Sequence, residues 1–476
     1  MSFPAGMFVT MRVELPQSAF SVPRSAATSR RKLQPAPTRE RVLLLTSGLG
    51  FGHVRAAQAV EAALLQRGSE VRIVDLWSLM NPGAASIVHQ TYLRLVQEYP
   101  DLYERLYQLD ERTWRQILES EAGPPPQVME VLEVISEIAS STVVAVKGAQ
   151  YATDRLLLAM LYNSLPFNGS SLGGNGVRAR LAIMKWSWLR LSKRLEAMVG
   201  AFAPHVIVST QMIPAALVSV MKRHGRVQAP LIGVLTDYGV HDFWRQRGID
   251  AYCTAHPSIQ HGKDAPSAIA TGVPLMPAFA QPLAQAEARR QLDLDPRRPY
   301  VLILGGGLGL SVDAIATRLL DLPGDISLMI MPGKNGDARE ALMGRMGAAS
   351  SASGRRVHVF DWTDRMDIFI RAADIVVGKP GGVSVAEVLA CGRPLLATRS
   401  LGGQEGFNVR FLEDHHVGAL VRDDELAARI ASMLESPQEL AEMQHRAWQL
   451  GIRNGAARIA DLTLDMIVRH SVQELR

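Results

Sequence analysis

At 476 residues, 47% of them hydrophobic and 20% charged, the chain has enough apolar material for two globular domains with substantial cores, which excludes a predominantly disordered protein. Its formal charge of +5 favours an acidic partner, whether an anionic lipid surface, a nucleic acid or a phosphorylated ligand, without choosing among them. Cys253 and Cys391 stand alone, with no CxxC and no Cys/His ligand spacing, so the chain predicts a reducing, cytoplasmic setting without disulfides or structural zinc.

Residues 1–40 lack helical or strand periodicity and carry Arg24, Arg30, Arg31, Lys32 and Arg39 among Pro, Ser and Ala. They read as a disordered basic tail, an over-long start with Met7 and Met11 as alternatives, or an organellar transit segment. From Arg41 the pattern turns regular: a strand over 42–46, a Gly-rich loop, a helix from about 54 to 67 closed by Gly68, and a strand over 70–74 ending at Asp75. Tyr92, Leu95, Val96, Tyr99, Leu102, Tyr103, Leu106 and Tyr107 recur at spacings of three and four, as one face of a helix does. Lys185, Trp186, Trp188, Arg190, Lys193 and Arg194 then pair rings with cations. Both stretches fit an anchor on an anionic membrane surface, and both fit a core-facing helix with a solvated basic side. No segment approaches the roughly 18 uninterrupted apolar residues of a spanning helix.

Further strands are expected over 205–209, 231–235, 251–254 and 268–270. A Pro- and Ala-rich passage over 273–285 precedes a second start: a strand over 300–304, Gly305-Gly306-Gly307, a helix through Arg318, and strands over 327–331, 356–360, 375–377 and 395–398. This alternation predicts an α/β protein of GT-B architecture, two Rossmann-like doubly wound domains facing across a cleft that holds the ligand. The expected divisions are a tail over 1–40, a first domain over 41–281, a second over 282–455, and a C-terminal helix over 456–476 that crosses back onto the first domain.

Four stretches carry chemistry. In Ser47-Gly48-Leu49-Gly50-Phe51-Gly52-His53 an imidazole stands at a helix start, where the dipole keeps it neutral and basic; it is either a general base for an acceptor hydroxyl or a helix cap. The spacing lacks the third Gly of a GxGxxG dinucleotide fingerprint, although Asp75 mimics the ribose-binding acid. Thr236 to Trp244 follows a strand end, and its Asp237 and His241 are either groups facing the acceptor or, respectively, a turn residue and a buried hydrogen-bonded imidazole. In Gly378-Lys379-Pro380-Gly381-Gly382, followed by a helix from Ser384 carrying Glu387, the Gly pair lets the chain turn, and either the free amides hold a diphosphate and the carboxylate takes both ribose hydroxyls, or this is an ordinary strand, turn and helix with a solvated Glu. Gly403-Gln404-Glu405-Gly406-Phe407-Asn408 completes that set. Asp293-Leu294-Asp295 has the look of a metal-binding DxD but leads into Pro296, the mark of a solvated linker, so no metal is expected. The basic residues accompany no nucleic-acid motif, so nucleic-acid binding is not expected.

Together these motifs resemble family 28 glycosyltransferases, and within them the diacylglycerol glycosyltransferases: processive diacylglycerol glucosyltransferases and monogalactosyldiacylglycerol synthases. The resemblance runs from about Arg41 to the C-terminal region, on Gly50 to Ala57, Thr236 to Trp244, Thr271-Gly272-Val273-Pro274, and the KPGG and GQExxN elements. It implies a UDP-glucose or UDP-galactose donor, inversion at the anomeric carbon, a diacylglycerol acceptor, and a peripheral position on the inner face of the cell membrane. It further implies that Glu387 holds the ribose, that Gly381 and Gly382, with Gly305 and Gly306 on the neighbouring turn, meet the donor, that Gln404, Glu405 and Asn408 line the sugar, and that His53, with Asp237 and His241, serves the acceptor. No cofactor beyond the co-substrate is implied. The chain departs from the family in having Met276 where an Arg often follows the GxP turn, and in a longer segment over 123–175. A UDP-sugar epimerase, a transferase with another lipid acceptor and a non-catalytic UDP-sugar or lipid-binding regulator are the alternatives.

Overall fold

The computed structural model describes residues 39–80, 82–99, 101, 175–259, 267–306, 312–323, 325–333, 339–340, 342–346, 356–398 and 403–474. The first half builds one parallel sheet from β1 (Arg41–Thr46), β2 (Glu70–Asp75), β3 (Val206–Ser209), β4 (Leu231–Val234), β5 (Ala251–Thr254) and β6 (Ala268–Ala270). Their spatial order is β2-β1-β3-β4-β5-β6. Helices α1 (Phe51–Leu65), α2 (Pro82–Glu98), α3 (Asn175–Phe202) and α4 (Met212–Arg223) belong to this half. Strands such as β3 and β4 are buried at every position, as the β-branched and aliphatic runs Val206-Ile207-Val208 and Leu231-Ile232 require of strands covered on both faces.

The second half repeats the plan with α5 (Gln285–Gln291), β7 (Tyr300–Leu304), α6 (Val312–Leu319), β8 (Ser327–Met331), β9 (Val357–Val359), α7 (Met366–Ala372), β10 (Ile375–Gly378), α8 (Gly382–Ala390), β11 (Leu395–Ala397), α9 (Gln404–Asp414) and β12 (Gly418–Leu420). Its parallel order is β12-β11-β10-β7-β8-β9. Then come α10 (Leu426–Glu435), α11 (Pro437–Leu450) and α12 (Gly455–Glu474). This is the GT-B arrangement of two parallel six-stranded sheets with helices.

In each sheet the chain first runs outward to one side and then returns to the other side of its first strand. The reversal falls between β1 and β3 in the first sheet and between β7 and β10 in the second. At such a switch point two neighbouring crossovers diverge to opposite faces and leave a crevice at the carboxyl ends of the strands, where ligands of open α/β sheets bind.

Three adjustments to the expected elements matter for the site. The first helix begins at Phe51 rather than near 54, because Gly50 takes the extended N-cap conformation (φ −141°), so His53 lies inside the first turn. The helix after Gly381 likewise begins at Gly382. The short strand β12 carries no β-branched run, Gly418-Ala419-Leu420, and was not legible beforehand.

The two halves are tied by more than one passage of chain. Val273, Leu275 and Phe279, buried residues of the connection, pack with Phe369, Ile370 and Val385 in the core of the second half. On the opposite side Ile459, Ala460 and Ile467 of α12 pack with Val42, Leu44, Ala59 and Val60 of the first half. Asp461 of α12 pairs with Arg67 at 2.8 Å. The return is seated on the Thr271 to Pro274 turn, where Gly272 has φ +88° and a Cβ would stand 2.4 Å from Ile452. Gly272→Ala therefore combines an unfavourable left-handed backbone with a clash; a fall in thermal midpoint of several degrees is expected, measured by circular dichroism on the two proteins in parallel.

Candidate active site

His53 sits at the switch point of the first sheet. Its Nδ1 lies 2.9 Å from the carbonyl oxygen of Thr210, just beyond β3, and 3.4 Å from Oγ1 of Thr236, just beyond β4. Thr210 also donates from Oγ1 to the His53 carbonyl at 3.0 Å and is hydrogen-bonded to the Thr46 hydroxyl at 3.1 Å, where it accepts, so the ends of β1 and β3 are stitched to the start of α1. A carbonyl only accepts, which puts the proton of the neutral ring on Nδ1 and the lone pair on Nε2. Burial holds the imidazole below its usual pKa, against the opposing pull of Asp237 and the Thr210 hydrogen bond, with nearby Lys379 adding a further downward push. His53 is thus a fixed neutral imidazole at pH 7. It is not the N-cap, since that position is Gly50.

The second switch point faces it. Gly378, at the end of β10, is in register with Leu304, at the end of β7, so Gly305-Gly306 and Lys379-Pro380-Gly381-Gly382 emerge side by side. Residues 307–311, including Gly307, fall outside the described residues. A Cβ on Gly382 would stand 2.0 Å from the Thr236 carbonyl oxygen and 2.8 Å from Oδ1 of Asp237. Gly52 meets Val383 in the same contact, at 3.3 Å for a would-be Cβ. The N-termini of α1 and α8, each with unbonded amides and a partial positive charge, are thereby brought to one place.

Asn408 joins the two motifs. Its Nδ2 donates to Asp237 Oδ1 and to the Pro380 carbonyl, each at 2.9 Å, while its Oδ1 accepts from the Tyr238 backbone N–H at 2.8 Å. The side chain is wholly buried and its amide is spent on protein groups. Glu405 is also buried and pairs with Lys379, whose side chain is 42% exposed beside the Gly pair. Gln404, the first residue of α9, has a buried Oε1 with no hydrogen-bond partner among the described residues. Glu387 lies along α8 facing Arg55 of α1 and Asp367. Burial pushes its carboxyl up to about 7, with Arg55 pulling down and Asp367 adding to the rise.

His241 is placed differently. Its Nδ1 accepts from the Phe243 N–H at 3.1 Å and caps the short turn Asp242–Trp244, so that nitrogen serves the local fold. Asp75 caps the turn after β2 by accepting from Trp77 N–H at 3.1 Å, and Asp295 accepts from Arg297 N–H and pairs with Arg298. Lys379, Arg55, Thr210 and Thr236 were not among the expected functional side chains. Lys379 was signalled by its place before the Gly pair, while Thr210 stands in no motif and only the sheet order brings it to His53.

The C-terminal half of α3 buries Leu191, Leu195 and Val199 at helical spacing in the first core and turns Lys193 and Arg194 outward, with Leu189 also exposed. The side chains of Lys185, Trp186 and Trp188 lie outside the described residues, as do Leu102, Tyr103, Leu106 and Tyr107. Among the described residues no helix is long and apolar enough to cross a membrane.

Residues 177–274 match the monogalactosyldiacylglycerol (MGDG) synthase family model, and residues 301–462 match the glycosyltransferase family 28 C-terminal domain. The chain is 23% identical over 444 residues, 91% of its length and 96% of the relative's, to a processive diacylglycerol beta-glucosyltransferase of Bacillus subtilis (strain 168). A protein of the same description from Bacillus thuringiensis (strain Al Hakam) is 22% identical, covering 89% of this chain and 93% of the relative. Among solved structures, MurG of Acinetobacter baumannii superposes with a TM-score of 0.54 over 90% of this chain and 99% of its own, at 16% identity, a likeness of fold.

Replacing Asn408 by Ala strips partners from Asp237, Pro380 and Tyr238 together. The expected cost is about 2–4 kcal/mol of stability, read by denaturant unfolding, with a loss of activity that outlasts restoration of folding by lower temperature.

Proposed function

Because the chain is a glycosyltransferase with a family 28 C-terminal domain, we propose that it moves a hexose from a UDP-sugar to the hydroxyl of diacylglycerol, with inversion, giving a β-glycosyldiacylglycerol. The observation that carries this reading is the apposition of a fixed neutral imidazole with the amide-rich start of α8 across Thr236, Asp237 and Gly382. A base and an anion-stabilising helix start facing each other are what a single displacement needs. The acceptor hydroxyl gives its proton to Nε2 of His53 as its oxygen attacks the anomeric carbon, and Asp237 steadies the imidazolium that forms. UDP departs toward Gly381 and Gly382, where the α8 amides and Lys379 take up the charge. Lys379 thus supplies the cation that Met276 does not. Glu387 accepts from the ribose hydroxyls, and the orphaned Gln404 Oε1 accepts from a sugar hydroxyl.

The acceptor comes from the relatives' descriptions, which also make glucose the first donor to test. With a membrane-resident acceptor the protein works as a peripheral enzyme at the inner face of the cell membrane, the basic side of α3 toward anionic head groups. No metal is called for, since the charge of the leaving diphosphate is met by amides and Lys379.

The reading is tested with purified protein, radiolabelled UDP-glucose or UDP-galactose, and vesicles with or without diacylglycerol. Label extracted into lipid only when diacylglycerol is present is the expected result, unchanged by EDTA; label in no lipid overturns it. His53→Ala is expected to lower kcat by roughly 10² to 10⁴. An unchanged rate would remove the imidazole from the reaction.

The carboxyl of Glu387, titrating near 7, must be ionised to hold the ribose. Ionisation grows as pH rises through that value, so KM for the donor is expected to fall about five- to tenfold between pH 6 and 8. Glu387→Gln should flatten this dependence, which steady-state kinetics at several pH values will read.

A further inference from the structure

A cavity of about 480 Å³ opens in the second half between the connecting segment, α7, the turn after α8, and α11, and shares no residue with the site above. Arg371 and Arg393 line it, and they are only 3% and 9% exposed. The Nε of each is buried without a hydrogen-bond partner. Arg371 donates from Nη2 to the carbonyls of Phe279 and Gln281, each at 3.0 Å, and from Nη1 to that of Leu283 at 3.4 Å, and Arg393 donates to the carbonyl of Arg371 at 2.8 Å. Carbonyls satisfy hydrogens but bring no net charge. The carboxylates of this region are committed elsewhere, Asp374 to Arg289 at 2.7 Å and Asp367 to Arg365 at 2.9 Å.

A third guanidinium adds to the excess. Arg453 lies 3.4 Å over the ring of Trp448, another lining residue, and donates only to the carbonyls of Ala390, Gly451 and Trp448. Burial lowers the pKa of both Arg393 and Arg453 from the ordinary guanidinium value, outweighing at Arg393 the upward pull of Asp374, which makes its ion pair with Arg289. Buried charges are as a rule paired, and two buried guanidiniums with no carboxylate in contact among the described residues, beside an open cavity, attract an anion.

We propose that this cavity binds a phosphate-bearing anion, whose oxygens meet the guanidinium groups of Arg371 and Arg393 while the remainder of the ligand lies along Trp448. A phosphoryl group suits the place because its charge of nearly two balances two guanidiniums, whose planar forks match its oxygens. The phosphoryl group belongs either to a free phosphate or to a phospholipid head group. Since Arg371 also grips the connecting segment, occupancy fastens that segment to the second half.

Inorganic phosphate is titrated into the full-length protein at constant ionic strength by calorimetry, with and without saturating UDP, and flotation with phosphatidylcholine vesicles with or without phosphatidate is run beside it. Saturable phosphate binding that UDP does not displace assigns a free phosphate; phosphatidate-dependent flotation without phosphate heat assigns a head group. Either must weaken about tenfold or more in Arg393→Met and in Ala441→Glu. Ala441 is an exposed lining residue of α11, so its variant keeps the thermal midpoint in buffer and separates lost binding from lost folding. Absence of both signals overturns the proposal, as does binding that UDP abolishes or that both variants retain.

Discussion

The absence of a side chain at Gly382 is the constraint on which the arrangement depends. With a would-be Cβ only 2.0 Å from the Thr236 carbonyl, the start of α8 reaches the end of β4 only because that residue is glycine. Everything chemical in the cleft follows from this approach. Asp237 comes within reach of the Asn408 amide, Lys379 and Asp237 both come near enough to His53 to act on its charge, and Gly52 meets Val383. A methyl group there would separate the two switch points and with them the His53 imidazole from the start of α8.

The charge arrangement is economical in a second sense. His53 is kept neutral chiefly by burial, and Glu387 is kept partly protonated by the same cause, so both groups respond to what enters the cleft. A donor that brings hydroxyls to Glu387 and a diphosphate to Lys379 changes the field felt at His53 as well. In the proposed reaction, binding of donor and readiness of His53 are linked through Lys379, which touches Glu405 on one side and lies near His53 on the other.

Much of this was legible in the chain because parallel strands covered on both faces leave uniform apolar runs, and Gly-rich turns after them leave an equally plain mark. Runs such as Val42 to Leu45 and Val301 to Ile303 announced themselves in that way. The strand β12 did not, because Gly418-Ala419-Leu420 takes its conformation from pairing with β11 and not from its own residues. At the site, the motifs named His53, Asp237, Glu387 and Asn408, but not what each one touches. The spending of the Asn408 amide on Asp237 and Tyr238 depends on contacts between segments about 170 residues apart, and that on Pro380 on a contact 28 residues back, while His53 meets Thr210 over a separation of 157. His241 shows the converse: a residue in a motif whose ring nitrogen closes a three-residue turn.

The last helix gives the protein an unusual order of assembly. Ile459, Ala460 and Ile467 cover an apolar face made of Val42, Leu44, Ala59 and Val60, residues from the other end of the chain. A ribosome delivers the first half well before this covering helix, since a chain emerging at about 5–20 residues per second needs tens of seconds to supply what lies between. The newborn first half thus holds an open greasy patch for that whole interval.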